Sequence, residues 1–426
     1  MKRMMYVTLL SALFSSQAYA QNAVTDWAAI VQPPLNTRLP AIQNILRAMV
    51  HIAIYDAVVA IEGGYQPFAG VISDPGGSDV RAAVATAAYL TARARVVASQ
   101  IPVLDAAYTT YLATIPDGPA KTNGISVGEQ AASAILALRA NDGMTNTVLY
   151  VCSSNPPPAG QFEPDGGCNT QPAGANVGQI RPFTFAYSGQ FRPGGPDPLT
   201  SIAYTEDFIE TRDFGRCDSH VRTPDETNTA YFWQTVNIHQ GLINLAIDRG
   251  LSSDMRQTAR LFALVYTAAA DANIAGFEAK YFYAAWRPRT AIPRADTDGN
   301  EDTFADPGWK PLISVNHPEY PSAHTYSSTA MTDSIARFFG TNRVTWRLRG
   351  GILGPTLAPD CTPAIPTIPQ LVQTERTYDD LNRVMREIYD ARVWAGLHWR
   401  HSMMNGAQVG RKIAQHVWTN FFQPVP

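Results

Sequence analysis

Six residues in the second half of this 426-residue chain could form a reactive centre: Lys280, Arg287, Ser322, His324, Arg392 and His398. Lys280 and Arg287 stand seven apart at the end of an apolar stretch, so a helix through both would project them from one face, two turns apart. Two cations on a mostly buried face repel unless an anion lies between them. Ser322 and His324 belong to Pro321-Ser322-Ala323-His324, where a proline-containing loop enters a helix. The first N–H groups of a helix have no intrahelical partner and favour an anion. Arg392 offers a planar fork of donors suited to oxyanions. His398 follows it beyond Gly396 and can ligate a metal or attack phosphorus. A unit charge about 4 Å from a cation gains on the order of 4 kcal/mol at an effective dielectric near 20, before desolvation. Three cations around one compact, multiply charged tetrahedral oxyanion therefore offset a considerable burial cost. Each part has a plainer reading alone: Lys280 beside Glu278, Arg392 beside Asp390 or Glu387, and PSAH as an ordinary helix start. Their order and spacing together favour the oxyanion cage.

The elements that must hold this cage read as mainly α. Residues 42–61 are apolar almost all round, which marks a buried helix. Residues 80–103 and 127–140 are Ala-rich and helical, whereas 141–200 is a long Pro/Gly-rich loop region. Helical patterning returns at 225–248 and runs from 253 to about Trp286, where Pro288 ends it. After a loop at 291–321, a helix is predicted from Ser322 to Phe339, with Gly340 as its stop. Thr377-Tyr378-Asp379-Asp380 resembles a capping box opening a helix through Arg392, and residues 405–421 supply the last helix. The fold class expected is a helical bundle with long Pro/Gly-rich loops and little or no β. Residues 21–426 read as one catalytic domain, with the oxyanion site inside 261–414.

A net charge of -3 gives no general field for nucleic acid. Lys2 and Arg3, the apolar run 4–14 and the ending Ala18-Tyr19-Ala20 describe a signal peptide cleaved after Ala20. No other run reaches the roughly 20 apolar residues of a bilayer span. The expected mature protein is secreted or periplasmic, without a membrane partner. An oxidising compartment favours disulfides. Cys152 and Cys168 flank a Pro/Gly-rich loop and are the favoured pair, leaving Cys217 with Cys361, among three open connectivities.

With these residues in place, the chain resembles the vanadium-dependent haloperoxidases and, more distantly, the acid phosphatases of the same superfamily. The shared pattern K-x6-RP, PSGH and SR-x5-H-x3-D stands here as KYFYAAWRP, PSAH and ARVWAGLHWRHS. DPGWKPLI, HPEYPSAH and GLHWR are also similar, and HIAIYDAVVAI is similar to a segment of bacterial members. The resemblance is dense from about residue 261 to 414 and thin before. It implies a vanadate cofactor bonded to His398, with Lys280, Arg287 and Arg392 neutralising its oxygens. Ser322 and the Ala323 N–H would donate to it. His324 would be the acid–base residue for hydrogen peroxide, and Lys280 would polarise the bound peroxide. A halide would then be oxidised to hypohalous acid, which a small organic acceptor consumes.

Three positions depart from the pattern. Ala323 replaces Gly, at a cost of roughly 1 kcal/mol if that backbone needs a positive φ. Ala391 replaces Ser. Ser402 stands where phosphatases place the Asp that orients the histidine, leaving that role to the hydroxyl or to another carboxylate such as Asp271. This last change weakens the phosphatase reading more than the haloperoxidase one. His317 stands where algal bromoperoxidases also carry His, which favours bromide or iodide over chloride. A solvent-exposed loop His is an equally open reading. Trp286 and Phe277 are candidate halide-pocket residues, and Asp271 is a candidate partner for a cage cation. His51 and Asp56 read as core groups. Two other readings share the same cage: an exported acid phosphatase with a His nucleophile, and a non-catalytic oxyanion binder. Bundles of this kind often pair, so a homo-oligomer is compatible with the chain, which carries no interface signature.

Overall fold

The computed structural model describes residues 22–354 and 357–425; the expected leader, residues 1–20, lies outside the described residues. The chain is mainly α, with one small β-hairpin. The helices are α1 (Ala23–Leu35), α2 (Pro40–Glu62), α3 (Val80–Arg93), α4 (Ile101–Leu112), α5 (Pro119–Leu138), α6 (Ile202–Phe214), α7 (Pro224–Thr235) and α8 (Ile238–Asp248). They continue with α9 (Met255–Tyr283), α10 (Pro288–Ala291), α11 (Ala323–Phe339), α12 (Leu381–Trp394) and α13 (Arg400–Asn420). Between α11 and α12, β1 (Trp346–Ile352) and β2 (Val372–Tyr378) pair antiparallel, Trp346 opposite Tyr378.

α2 and α9 form the centre because both are apolar on nearly every side, and one core cluster runs from Ala23 to Phe422 around them. By length and composition α2 could cross a bilayer, contrary to the expectation that no further run is long enough; here its side chains are buried inside the protein. The C-terminal helices close on α9 through small residues. A Cβ on Gly410 of α13 would lie 2.2 Å from the Tyr326 carbonyl oxygen, and one on Gly406 would lie 2.3 Å from Thr325 Oγ1. Only hydrogen at both positions, one turn apart, lets α13 seat against the first turns of α11. That contact holds the Ser322 loop in place.

Several boundaries differ from the sequence reading, each because tertiary bonds outcompete local pattern. α9 ends at Tyr283, not Trp286. Ala284 takes a left-handed conformation (φ 43°), and the backbone then bonds to the long loop, Trp286 N–H to the Gly160 carbonyl at 3.0 Å. The capping box expected at Thr377 does not form, because Thr377 and Tyr378 belong to β2 and Asp380 caps α12. α13 begins at Arg400 rather than near residue 405. The loop 141–200 is as irregular as expected and is fastened by Cys152–Cys168; the second disulfide is Cys217–Cys361.

Candidate active site

Four segments converge beside one chamber: His324, Arg392 and His398 line it, while Lys280, Arg287 and Ser322 are buried behind its wall. Lys280 comes from the last turn of α9, and Arg287 is the residue before α10. The two therefore do not share a helical face; a left-handed turn, not helical periodicity, brings them together. Ser322 precedes α11 without capping it through its side chain, so the first N–H groups of that helix are left open toward an anion. Arg392 lies in the last turn of α12, and Gly396 (φ 71°) turns the chain so that His398 follows it into the site. The chamber holds about 600 Å³, and its walls include Ala323, His324, Arg392 and His398.

The three cations are almost wholly buried, and neutral groups hold them. Lys280 Nζ donates to the carbonyls of Pro318 (3.0 Å) and Glu319 (2.8 Å). Arg287 donates to the carbonyls of His317 (2.6 Å), Leu397 (2.7 Å) and Pro318 (3.2 Å). Arg392 Nη1 donates to Gln234 Oε1 at 2.8 Å, while its Nε has no partner. The carboxylates that could have absorbed these charges are engaged elsewhere: Glu278 with Arg192, Asp390 with Arg400, and Glu387 with Arg376. Burial therefore pushes Arg287 down to about 10 and Arg392 down to about 9. It holds Lys280 well below its ordinary value, with Arg287 and Arg392 adding repulsion against some help from Glu319. Ser322 Oγ, fully buried, is also without a partner.

One carboxylate enters the centre, and sequence reasoning missed it. Glu319 Oε1 lies 2.6 Å from His398 Nδ1 and also accepts the Trp399 N–H at 3.3 Å. Burial raises its pKa to about 7, against the opposing pull of Lys280 and Arg287, the Ser402 hydroxyl and the Trp399 N–H. The Glu319 carboxylate fixes the orientation of His398 and leaves Nε2 as the nitrogen free for a ligand. Burial and the nearby Arg287, Lys280 and Arg392 hold the imidazole neutral. The available signal was a lone acid in the proline-bounded segment HPEYPSAH, three residues before Ser322. Ser402 does not replace it; its hydroxyl adjoins the Glu319 carboxyl from behind.

The remaining expectations divide. Ala323 carries no positive φ and begins α11, so the strain feared there is absent. His324 reaches the Trp233 carbonyl, and burial together with Arg392 and Lys280 lowers its pKa well below the ordinary value. His317 is no exposed loop residue: Nδ1 lies 3.0 Å from Arg287 Nη2, and its ring sits 5.5 Å from that of Phe277 on the chamber wall. Trp286 is not in the chamber, because the turn after α9 sends it into a separate aromatic cluster with Tyr204 and Trp399. Asp271 pairs with no cage cation. It accepts the N–H groups of Phe183 and Thr184, pinning the long loop to α9.

Residues 260–425 match the family model described as the VCPO second helical-bundle domain. The chain is similar to the vanadium chloroperoxidase of Curvularia inaequalis, 29% identical over 171 residues, 33% of this chain and 27% of that protein. The match thus spans about a quarter of that relative's length. The fold is similar to that of a bacterial vanadium-dependent iodoperoxidase, with TM-score 0.72 and 20% identity over 94% of this chain and 96% of the other. A holo-type bacterial vanadium-dependent chloroperoxidase follows, with TM-score 0.68 and 16% identity over 90% and 91%. At such identities the likeness is one of fold.

Proposed function

We propose, for a chain whose residues 260–425 match the VCPO second helical-bundle domain, that it is a vanadate-dependent haloperoxidase. The carrying observation is a chamber walled by His324, Arg392 and His398, with Lys280 and Arg287 buried close by and one neighbouring carboxylate, Glu319, which is itself engaged by His398. The orphaned Ser322 Oγ and Arg392 Nε add two unused donors. This donor set fits vanadate: His398 Nε2 would ligate it, while Lys280, Arg287, Arg392, Ser322 and the open N–H groups of α11 would neutralise its oxygens. Bound vanadate acts as a Lewis acid that makes hydrogen peroxide a better oxidant of halide. The chain's own work is to hold charge and protons. Glu319 keeps His398 in one tautomer, with its proton on Nδ1. His324, neutral and facing the chamber, is placed to take a proton from peroxide and return it to the leaving oxygen, so that peroxide, halide and one proton yield hypohalous acid and water. A small organic acceptor would consume the product.

Bromide or iodide is the favoured halide, supported by His317 on the chamber wall beside Arg287. The two disulfides favour a secreted or periplasmic protein, acting as a single catalytic domain.

The test is halogenation of a reporter with peroxide and each of three halides, with and without orthovanadate, from about pH 4 to 8. Activity should need vanadate and vanish in His398→Ala, and Glu319→Gln should weaken vanadate binding about 10- to 100-fold. Absence of halogenation throughout would sink the proposal. Glu319 also favours a second reading, because an oriented, neutral imidazole is what a phosphohydrolase nucleophile requires. Hydrolysis of an aryl phosphate without halogenation would select it; tight oxyanion binding with neither activity would select a non-catalytic binder.

A further inference from the structure

A second cavity of about 270 Å³ approaches the Glu319–His398 pair from the side of Trp399 and Ser402. It shares no wall residue with the oxyanion chamber. Its lining includes the Pro196-Asp197-Pro198 segment, in which the prolines are exposed and Asp197 is half-buried, and the rings of Tyr204, Trp286, Tyr320 and Trp399. Tyr204 and Trp399 meet edge to face at 5.6 Å, so the wall is a packed aromatic surface.

The Tyr320 hydroxyl donates to the Gly194 carbonyl, but three other buried polar atoms on this wall lack a completed hydrogen bond. The Trp286 indole N–H and the Tyr204 hydroxyl adjoin one another without completing a hydrogen bond. Ser402 Oγ, at the inner end, adjoins the Glu319 carboxyl without completing a hydrogen bond to it. All three residues are more than nine-tenths buried. Two carboxylates also line the cavity. Asp197 lies 3.2 Å from His401 Nδ1, while Asp207 accepts the His401 backbone N–H at 2.8 Å. The nearby guanidinium of Arg400 is committed to Glu210 and Asp390. Asp207 therefore sits among aromatic rings and other carboxylates with no fixed cation of its own, and its pKa is pushed up to about 6 by burial.

We propose that this cavity binds a small organic ammonium ion. The aromatic faces attract a cation through their quadrupoles. The Asp197 and Asp207 carboxylates complement its charge, and the Tyr204 and Ser402 oxygens can accept its N–H groups. The volume lies just under the roughly 300–1,000 Å³ usual for small-molecule pockets, which selects a compact ligand. A metal ion is the poorer occupant: among the described residues no group of three His, Cys, Asp or Glu is placed to hold one.

The inference does not depend on the oxyanion chemistry, because it is measured without vanadate. Titration calorimetry of the purified protein near pH 7.5, above the raised Asp207 value, compares benzylamine with benzyl alcohol. Saturable binding of the amine, at least about tenfold tighter than the alcohol, is expected. Asp207→Asn and Asp197→Asn should each weaken the amine severalfold and leave the alcohol unchanged. No saturable heat from the amine, equal affinity for amine and alcohol, or an amine affinity untouched in a folded variant would each overturn it.

Discussion

Arg139 and Arg392 are both almost fully buried, yet their charges are balanced in different ways. Arg139, at the end of α5, forms an ion pair with Asp142 at 2.8 Å. It also donates to the Pro182 carbonyl at 3.1 Å and stacks on the Phe183 ring at 4.0 Å. Its charge is matched within the fold, and the arginine ties the long loop to the helices. Arg392 has a neutral amide from Gln234, an unused Nε, and two further cations as neighbours. The first is a structural ion pair. The second is unmatched within the fold, and under the proposed function it is completed when an anion enters, which would separate a folding contact from a binding site.

The comparison can be broken by substitution. The largest effect is expected for Asp142→Asn, which removes the direct ion-pair partner of Arg139 and leaves it only the more distant Asp271; it should cost about 3 kcal/mol in thermal or urea unfolding. Vanadate should still raise the stability of this variant. Arg392→Met should behave in the opposite sense. The anion-free protein should be as stable as the wild type or more so, because an unmatched buried charge is gone. Its vanadate affinity should fall about 100-fold or more, read by titration calorimetry. A variant that is strongly destabilised yet still binds vanadate would erase the distinction drawn between the two arginines.

A subtler effect concerns Lys280. Its folded pKa lies well below 10.5 in the anion-free chamber, for which burial is the leading cause. Between the depressed and the ordinary value the unfolded chain holds more protons, so anion-free stability rises with pH through that window. A bound anion favours the charged amine. Oxyanion binding measured in that window should therefore take up a proton, and affinity should fall as pH climbs. Calorimetry in two buffers of different ionisation enthalpy would detect the uptake, and Lys280→Met should abolish it. The smallest effect belongs to Ala323→Gly. Because Ala323 is helical, restoring glycine should cost up to about 1 kcal/mol of stability and change vanadate affinity little.

The parts of this design differ in how readable they were. Lys280, Arg287, Ser322, His324, Arg392 and His398 were legible because charge type and spacing are properties of the chain itself, as were the Pro/Gly punctuation and the favoured cysteine pairing. The buried character of α2 and α9 was legible for the same reason, since a segment apolar all round must be covered. Glu319 was not. A carboxylate beside prolines looks the same whether it faces solvent or an imidazole far along the chain, and only the packing of α13 on α11 brings His398 to it. Trp286 and Asp271 were misplaced for the converse reason. Both lie near Lys280 in sequence, but the left-handed turn at Ala284 carries Trp286 out of the chamber and the loop at 183–184 captures Asp271. The sequence by itself determined which charges exist and made an oxyanion the expected match for them. The tertiary structure alone decided which carboxylates stay away, which one orients His398, and hence that the cage charges remain for a ligand, because long-range packing sets the distances that electrostatics depends on.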